Sequence, residues 1–186
     1  MSLSKLGGPA FPQPHPPQAF EKAMVFIDGT NLFNRLNDGK LKVSDFYAFA
    51  GAASNSRQLL RVYIYTTTEK LERAKEVHGE SALTGCRIVF GDSVETHSGA
   101  KREKGVDALL VADLVYHAAS RNCQYAVVFS NDSDFSFALK RVEDFGCKTA
   151  VVSVVNQAPS RLSESCDDYH FLPKELLIQS NWASAL

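Results

Sequence analysis

A chain of 186 residues, 45% of them hydrophobic, can bury one sizeable core and has the usual size of a single domain. Its 20 basic and 21 acidic residues leave a net charge of −1, which excludes a general positive field that would recruit nucleic acid by charge alone. No apolar run reaches the ~20 residues of a bilayer-spanning helix, and the four cysteines form no CxxC pair. We therefore expect a cytoplasmic protein with reduced thiols and no membrane partner.

The first 19 residues differ in composition from the rest of the chain. They contain five of the seven prolines and two adjacent glycines, which favour extended or disordered backbone over a packed element. We expect residues 1–19 to be a disordered, proline-rich tail and residues 20–180 to form one domain.

Beyond the tail, apolar runs alternate with stretches of helical pattern. The apolar runs predict five buried strands, at 23–27, 59–66, 86–90, 125–130 and 148–155. The stretches between and after them predict helices over 31–54, 68–83, 105–121 and 133–145, with a short one over 173–179. Strands separated by helices indicate βαβ units. The sequence thus predicts an α/β fold, a three-layer αβα sandwich around a mostly parallel sheet of five to six strands.

Acidic residues fall at one predicted edge of this sheet. Asp28 ends the first strand, and Asp132 and Asp134 directly follow the fourth. Asp107 begins the helix that leads into the fourth strand. Open parallel sheets bind ligands outside the carboxyl ends of their strands. Clustered carboxylates raise one another's pKa unless they share a cation or a proton, and hard oxygen ligands favour Mg²⁺ or Mn²⁺ over zinc.

Simpler roles remain open for these residues. An Asp at a strand-to-helix junction often caps the helix by accepting hydrogen bonds from free backbone N–H groups. Asp107 is a better candidate ligand than Asp113, because six helical steps of ~100° separate the two by about 120° around and ~9 Å along the axis, too far for one tight metal shell. Phe33, Phe46, Tyr47 and Phe49 could stack nucleobases, but their near-helical spacing is more typical of a core face.

The stretch VFIDGTN, residues 25–31, permits two other interpretations. FIDGT resembles the aspartyl-phosphatase signature of the haloacid dehalogenase superfamily, but Phe26 occupies the position of the nucleophilic acid. A von Willebrand-type metal site has the pattern Asp-x-Ser-x-Ser, whereas Thr30 and Leu32 occupy the matching positions here. Neither pattern is complete.

Three longer segments carry a resemblance that covers most of the chain: VFIDGTNLF, KGVDALLVADLVYHAA and YAVVFSNDSDFSFALKRVEDFGCKTAVVSV. In order and spacing they resemble the NYN domain family, especially its LabA-like bacterial branch, within the PIN-like ribonuclease superfamily. The segment SRLSESCDDYHFL is similar to the end of the family pattern. The resemblance implies a PIN-like fold, with Asp113 as a secondary acid. It assigns the catalytic residues to Asp28, Asn31, Asp107, Asp132 and Asp134.

The resemblance also implies a chemistry, the hydrolysis of phosphodiester bonds in RNA, with single-stranded RNA as the expected partner. Four acids are expected to hold Mg²⁺ or Mn²⁺: Asp28, Asp107, Asp132 and Asp134. Four residues are expected to bind the substrate: Ser130, Lys101, Arg102 and Lys104. The last three could equally form a solvated charged loop. An RNA-binding or regulatory module of the same fold with little or no activity is the alternative, a metal phosphatase acting on small esters is a third possibility, and a homodimer could complete the groove.

Overall fold

The computed structural model describes residues 21–95 and 101–186, and within these it leaves out the side chains of residues 93–95 and 101–104. The expected tail, residues 1–19, lies outside the described residues. The strands are β1 (Lys22–Asp28), β2 (Leu41–Lys42), β3 (Gln58–Thr66), β4 (Arg87–Phe90), β5 (Asp92–Glu95), β6 (Lys101–Lys104), β7 (Tyr125–Phe129), β8 (Lys148–Val154), β9 (Asp168–Leu172) and β10 (Ser184–Ala185). The helices are α1 (Gly29–Asp38), α2 (Phe46–Ala52), α3 (Thr68–His78), α4 (Val106–Ala119), α5 (Ser136–Glu143), α6 (Ser160–Ser163) and α7 (Lys174–Gln179), with 3₁₀ turns at Glu80–Leu83 and Ser133–Phe135.

Six strands form one sheet in the order β4-β3-β1-β7-β8-β9, and every neighbouring pair is parallel. The carboxyl-terminal ends of all six strands therefore lie on the same side of the sheet. We call the side where the strands end, with Phe90, Thr66, Asp28 and Phe129, the carboxyl edge, and the side where they begin the amino edge. The predicted α/β fold with a parallel sheet is confirmed, and β9 is the sixth strand.

Side chains of the central strands alternate between two cores. Along β1, Val25 and Ile27 pack into one cluster with helices α1, α2, α3 and α7, whereas Met24 and Phe26 pack into another with α4, α5 and α6. Both faces of the sheet are thus covered, which explains why the strands read as continuous apolar runs rather than as alternating patterns. The three-layer arrangement follows, and Phe33, Phe46 and Phe49 are all part of the first core.

Three predicted elements differ in the structure. The helix expected over 68–83 ends at His78, and Gly79, with a φ of 92°, separates it from the 3₁₀ turn Glu80–Leu83. The single helix expected over 31–54 is wrong: α1 ends at Asp38, and Lys40 adopts a left-handed φ of 50° that no continuing helix allows. Asp45 then begins α2 by accepting a hydrogen bond from the Ala48 N–H at 2.8 Å. The polar loop expected before Asp107 contains the antiparallel pair of β5 and β6. None of the described helices has the length and apolarity needed to cross a bilayer.

Candidate acidic centre at the carboxyl edge

Asp28 is the last residue of the central strand β1, and helix α1 begins at the next residue. Its side chain is buried, with 5% of its surface exposed. One carboxylate oxygen, Oδ1, accepts a hydrogen bond from the Asn31 N–H at 3.0 Å and so caps α1. The other, Oδ2, accepts one from the Ser130 hydroxyl at 2.9 Å. Both oxygens of Asp28 are therefore fixed in direction, and the capping role is real.

Gly29 explains why α1 can begin so close to the sheet. A Cβ atom at this position would lie 2.8 Å from the backbone oxygen of Tyr65 and 2.9 Å from Cγ2 of Ile64. Those distances are shorter than a side chain can tolerate, and a backbone oxygen within a sheet cannot move aside. The glycine of the FIDG stretch thus sets the position of Asp28 relative to strand β3.

Ser130 connects Asp28 to the next acid. It follows β7, is 2% exposed, and stands level with Asp28 because Ile27 pairs with Phe129 in the neighbouring strand. Its hydroxyl donates to Asp28 and accepts the Asp132 N–H at 3.0 Å. A residue predicted to touch substrate is therefore placed between two acids, where it holds one carboxylate and the backbone of the other.

Asp132 and Asp134 lie on the turn that Ser130 anchors. Asp132 is half-buried, and its Oδ1 accepts the Asp134 N–H at 2.9 Å, which caps the 3₁₀ turn Ser133–Phe135. Asp134 itself is exposed. The capping bond occupies one oxygen of Asp132 and leaves the carboxylate at the surface of the carboxyl edge.

Asn31 binds the two loops together from the first turn of α1. Its side-chain oxygen accepts the Asn131 N–H at 3.2 Å, and the Asn131 side-chain amide donates to the Asn156 carbonyl at 2.6 Å. The loops that follow β7 and β8 are thus tied to α1. The donor end of the Asn31 amide takes no part in this bond.

The electrostatics of Asp28 identify its neighbours. Its pKa is raised from the ordinary value of 3.8 to about 6, chiefly because burial penalises the charged form. The hydrogen bonds from Asn31 and Ser130 lower it, and the negative charges of Asp107 and Asp132 raise it further. The charges of Asp107 and Asp132 therefore act on Asp28, and the three acids form one electrostatic cluster.

The remaining predicted residues are placed as follows. Asp107 is exposed in the first turn of α4, at the carboxyl edge. Asp113 lies on the face of the sheet that α4 covers, where its Oδ2 accepts a hydrogen bond from the Tyr65 hydroxyl at 2.9 Å. Strand β6 contains three predicted substrate-binding residues whose side chains lie outside the described part of the structure: Lys101, Arg102 and Lys104.

The ability of the carboxylate cluster to hold a metal depends on its donor atoms. Among the residues whose side chains the structure describes, no three acidic, histidine or cysteine side chains are arranged to hold an ion by themselves. Mg²⁺, however, commonly keeps several waters and is bound by one or two carboxylates together with substrate phosphates. The carboxylates of Asp28, Asp107 and Asp132 offer hard anionic oxygens. The charges of the last two raise the pKa of Asp28, so this set of donors fits a hard cation.

One polar group at this edge was not predicted. Thr66 ends β3, one residue beyond the partner of Asp28, and its Cβ lies 3.1 Å from the point that a Cβ atom on Gly29 would occupy. The Thr66 hydroxyl is completely buried and has no hydrogen-bond partner among the described residues. The sequence does mark this position, because Thr66 is the one aliphatic hydroxyl residue in the apolar run LLRVYIYT.

Comparisons with known proteins agree with this architecture. The sequence profile of the NYN domain matches residues 22–176, from the start of β1 into α7, and so includes the acidic centre. A crystal structure of a protein of unknown function from Vibrio parahaemolyticus RIMD 2210633 has a similar fold, with a TM-score of 0.67 and 16% sequence identity, covering 84% of this chain and 96% of that one. No curated protein matches the chain. At 16% identity the structural likeness establishes the fold alone.

Proposed function

Because the chain belongs to the NYN domain family, a family of PIN-like nucleases, we propose that it is a metal-dependent ribonuclease of the LabA-like bacterial branch that hydrolyses single-stranded RNA in the cytoplasm. One observation carries the proposal: a buried carboxylate, Asp28, is held rigidly beside the negative charges of Asp107 and Asp132. Burial beside two further negative charges costs more than the two hydrogen bonds to Asp28 offset, as its raised pKa indicates, so a ligand that neutralises these charges is the physical explanation.

In this proposal the acids divide into fixed and exposed members. Asp28 and Asp132 would supply oxygen ligands, and their carboxylates are oriented by the Ser130 hydroxyl and by the capping bonds. Asp107 approaches from the first turn of α4. A Mg²⁺ or Mn²⁺ ion bound there would stabilise charge on the scissile phosphate and lower the pKa of a bound water.

The other polar residues act on substrate and water. Asn31, whose amide oxygen is already used, would donate from its amide nitrogen to a phosphate oxygen. Asp134, exposed beside Asp132, would accept a proton from the attacking water. Lys101, Arg102 and Lys104 would contact flanking phosphates, which fits a chain whose net charge of −1 provides no general attraction for RNA.

Cleavage of a labelled single-stranded RNA with Mn²⁺ or Mg²⁺ tests the proposal. We expect Asp132→Asn to lower kcat/KM more than about 100-fold, because even residues that only orient metal ligands contribute 10- to 100-fold. Asp144→Asn is the matched control: it makes the same change in an exposed ion pair with Arg141 at the end of α5, and activity should be kept. EDTA should abolish cleavage by the wild type.

The opposite outcomes are distinct. Equal cleavage by the wild type and Asp132→Asn would identify a contaminating nuclease and contradict the assignment. RNA binding without cleavage would indicate the regulatory module instead. Hydrolysis of a generic phosphomonoester with RNA left intact would indicate a phosphatase.

A further inference from the structure

Exposed aromatic side chains occur at both edges of the described structure, and those at the carboxyl edge belong to elements on either side of the acidic centre. Phe90, 50% exposed, ends β4, and Phe137, 71% exposed, is in the first turn of α5. Tyr116 and Phe145 lie near the amino edge, at the ends of α4 and α5. Single exposed aromatics are ordinary on protein surfaces, so the first pair needs separate evidence of a ligand site.

Phe90 forms part of a cavity beside Asp107. The cavity has a volume of about 320 Å³, which is within the range of ordinary small-molecule sites. It is lined by Phe90, Gly91, Asp92, Gly105, Ala108 and Leu109, the last of which is 38% exposed. Because Ala108 and Leu109 directly follow Asp107 on α4, a group in this cavity would be adjacent to the acidic centre.

Phe137 is on the other side of the centre and is paired with a cation. The Arg161 guanidinium of α6 lies 4.6 Å from the centre of the Phe137 ring. Asp132 and Asp134 precede Phe137 in the turn that begins α5. A guanidinium stacked on one side of an aromatic ring leaves the other side open to a flat ligand and retains donors for a phosphate.

The positions of the two sites relative to the acids are set by the sheet. Phe90 ends β4, which is two strands from β1, or about 10 Å from Asp28 at ordinary strand spacing. Phe137 follows β7, which borders β1 on the opposite side. The acidic centre therefore lies between two aromatic platforms along the carboxyl edge.

We propose that single-stranded RNA crosses the carboxyl edge with one nucleobase in the Phe90 cavity and another stacked on Phe137. The phosphodiester between them then passes the acidic centre. Stacking is tolerant of sequence and needs no positive field, which suits a chain with a net charge of −1. This inference rests on the proposed ribonuclease function and adds the means by which the substrate is held.

The test measures affinity for a fluorescein-labelled oligouridine RNA of about ten nucleotides, a length within the usual site sizes of single-strand binding proteins. Fluorescence anisotropy is recorded with Mn²⁺ on an Asp132→Asn background, in which cleavage is expected to be blocked. Phe90→Ala and Phe137→Ala should each raise the dissociation constant about tenfold. The control Phe145→Ala, which removes a 44% exposed ring near the amino edge, should leave it unchanged.

Two additions separate stacking from other effects. An abasic RNA of the same length should bind the parent and both variants equally weakly, because it has no bases to stack. Phe90→Trp and Phe137→Trp should restore affinity for the oligouridine. All variants should melt within a few degrees of the parent, since Phe90 is half-exposed and Phe137 mostly exposed.

Each other result overturns the inference in a recognisable way. If the parent binds RNA and neither alanine variant weakens it, the platforms are wrong while the ribonuclease proposal stands. If the variants abolish self-association and leave RNA affinity unchanged, the aromatics belong to an interface between copies of the chain. If the wild type neither cuts nor binds RNA, the proposed function fails and this inference fails with it.

Discussion

The amino and carboxyl edges of the sheet both hold buried charged groups, but they pair them differently. At the amino edge, Arg57 donates to Glu21 at 2.6 Å and lies 3.8 Å over the ring of Tyr125, whose hydroxyl donates to Asp168 at 2.9 Å. At the carboxyl edge, Asp28 accepts two hydrogen bonds from neutral groups and faces two more carboxylates.

The difference distinguishes charges that stabilise the fold from charges that serve the proposed site at a cost in stability. Glu21 meets a cation and Asp168 a hydroxyl donor, so the charges of both acids are compensated, although the buried Nη1 of Arg57 has no hydrogen-bond partner among the described residues. At the carboxyl edge the negative charge is compensated only in part, and the raised pKa of Asp28 in the folded state is the result. Stability given up at a site is a frequent cost of function.

Removing the cation of the amino-edge group should have the largest effect on stability. Arg57 has a side chain only 4% exposed, and Arg57→Ala would leave Glu21 with the distant Lys148 Nζ at 3.9 Å. We expect the free energy of unfolding to fall by about 3–5 kcal/mol. Thermal unfolding should show a melting temperature lower by roughly 10 °C.

Arg141→Ala provides the comparison for this change. Arg141 pairs with Asp144 at 2.7 Å, but both side chains are more than half exposed, so the expected loss is below about 1 kcal/mol. Equal losses for the two variants would mean that the amino-edge group does not stabilise the fold.

Removing the charge of Asp28 should have the opposite sign. In metal-free protein, the folded state holds the Asp28 proton up to about pH 6, whereas the unfolded chain releases it near 3.8. The free energy of unfolding therefore falls as the pH rises through this range. Asp28→Asn removes that loss, so at pH 7.5 in EDTA it should stabilise the protein by up to about 3 kcal/mol.

Chemical denaturation at several pH values measures this effect. The advantage of Asp28→Asn over the wild type should disappear toward pH 4, where the wild-type carboxyl is protonated in the folded state. A destabilised variant at pH 7.5 would show that the carboxylate of Asp28 is already compensated, and the contrast between the edges would be lost.

Filling the space at Gly29 tests how the carboxyl edge is positioned. The added methyl of Gly29→Ala would meet the Tyr65 backbone oxygen at 2.8 Å, and the helix must shift away from β3. We expect a loss of about 1–3 kcal/mol together with reduced RNA cleavage. Gly51→Ala, inside α2 with only the flexible Leu59 side chain at 3.1 Å, should be neutral or stabilising in the same measurements. Unchanged stability and activity in Gly29→Ala would disprove the close-approach explanation.

The sequence predicted the sheet and the placement of the acids because both depend on local patterns. Buried parallel strands read as apolar runs, and parallel strands bring Asp28 and Asp132 to the same edge. It did not predict strand β9, since DYHFL mixes polar and apolar residues and gains its pairing from β8. Nor could it show that Ser130 bridges two acids, because that bond joins residues 102 positions apart.

Two hydroxyl-to-carboxylate bonds of the same length give the finest test of the comparison. Tyr65 donates to Asp113 at 2.9 Å, and Ser130 donates to Asp28 at 2.9 Å. Burial and the charge of Asp113 raise the pKa of Tyr65, so its phenol keeps the proton that it donates. Tyr65→Phe should cost about 1 kcal/mol and leave RNA cleavage unchanged, since Asp113 is half-exposed and water can replace the donor.

Ser130→Ala removes an equivalent bond but should behave differently. Asp28 is buried, so water cannot easily replace the hydroxyl, and the Asp132 N–H loses its acceptor at the same time. Cleavage should fall about 10- to 100-fold, the usual effect of losing a group that orients a metal ligand. Steady-state kinetics and thermal unfolding of both variants decide the question. Equal effects of the two substitutions on kcat/KM would falsify the view that only the carboxyl-edge acids act in the reaction, and would make Asp113 a catalytic candidate again.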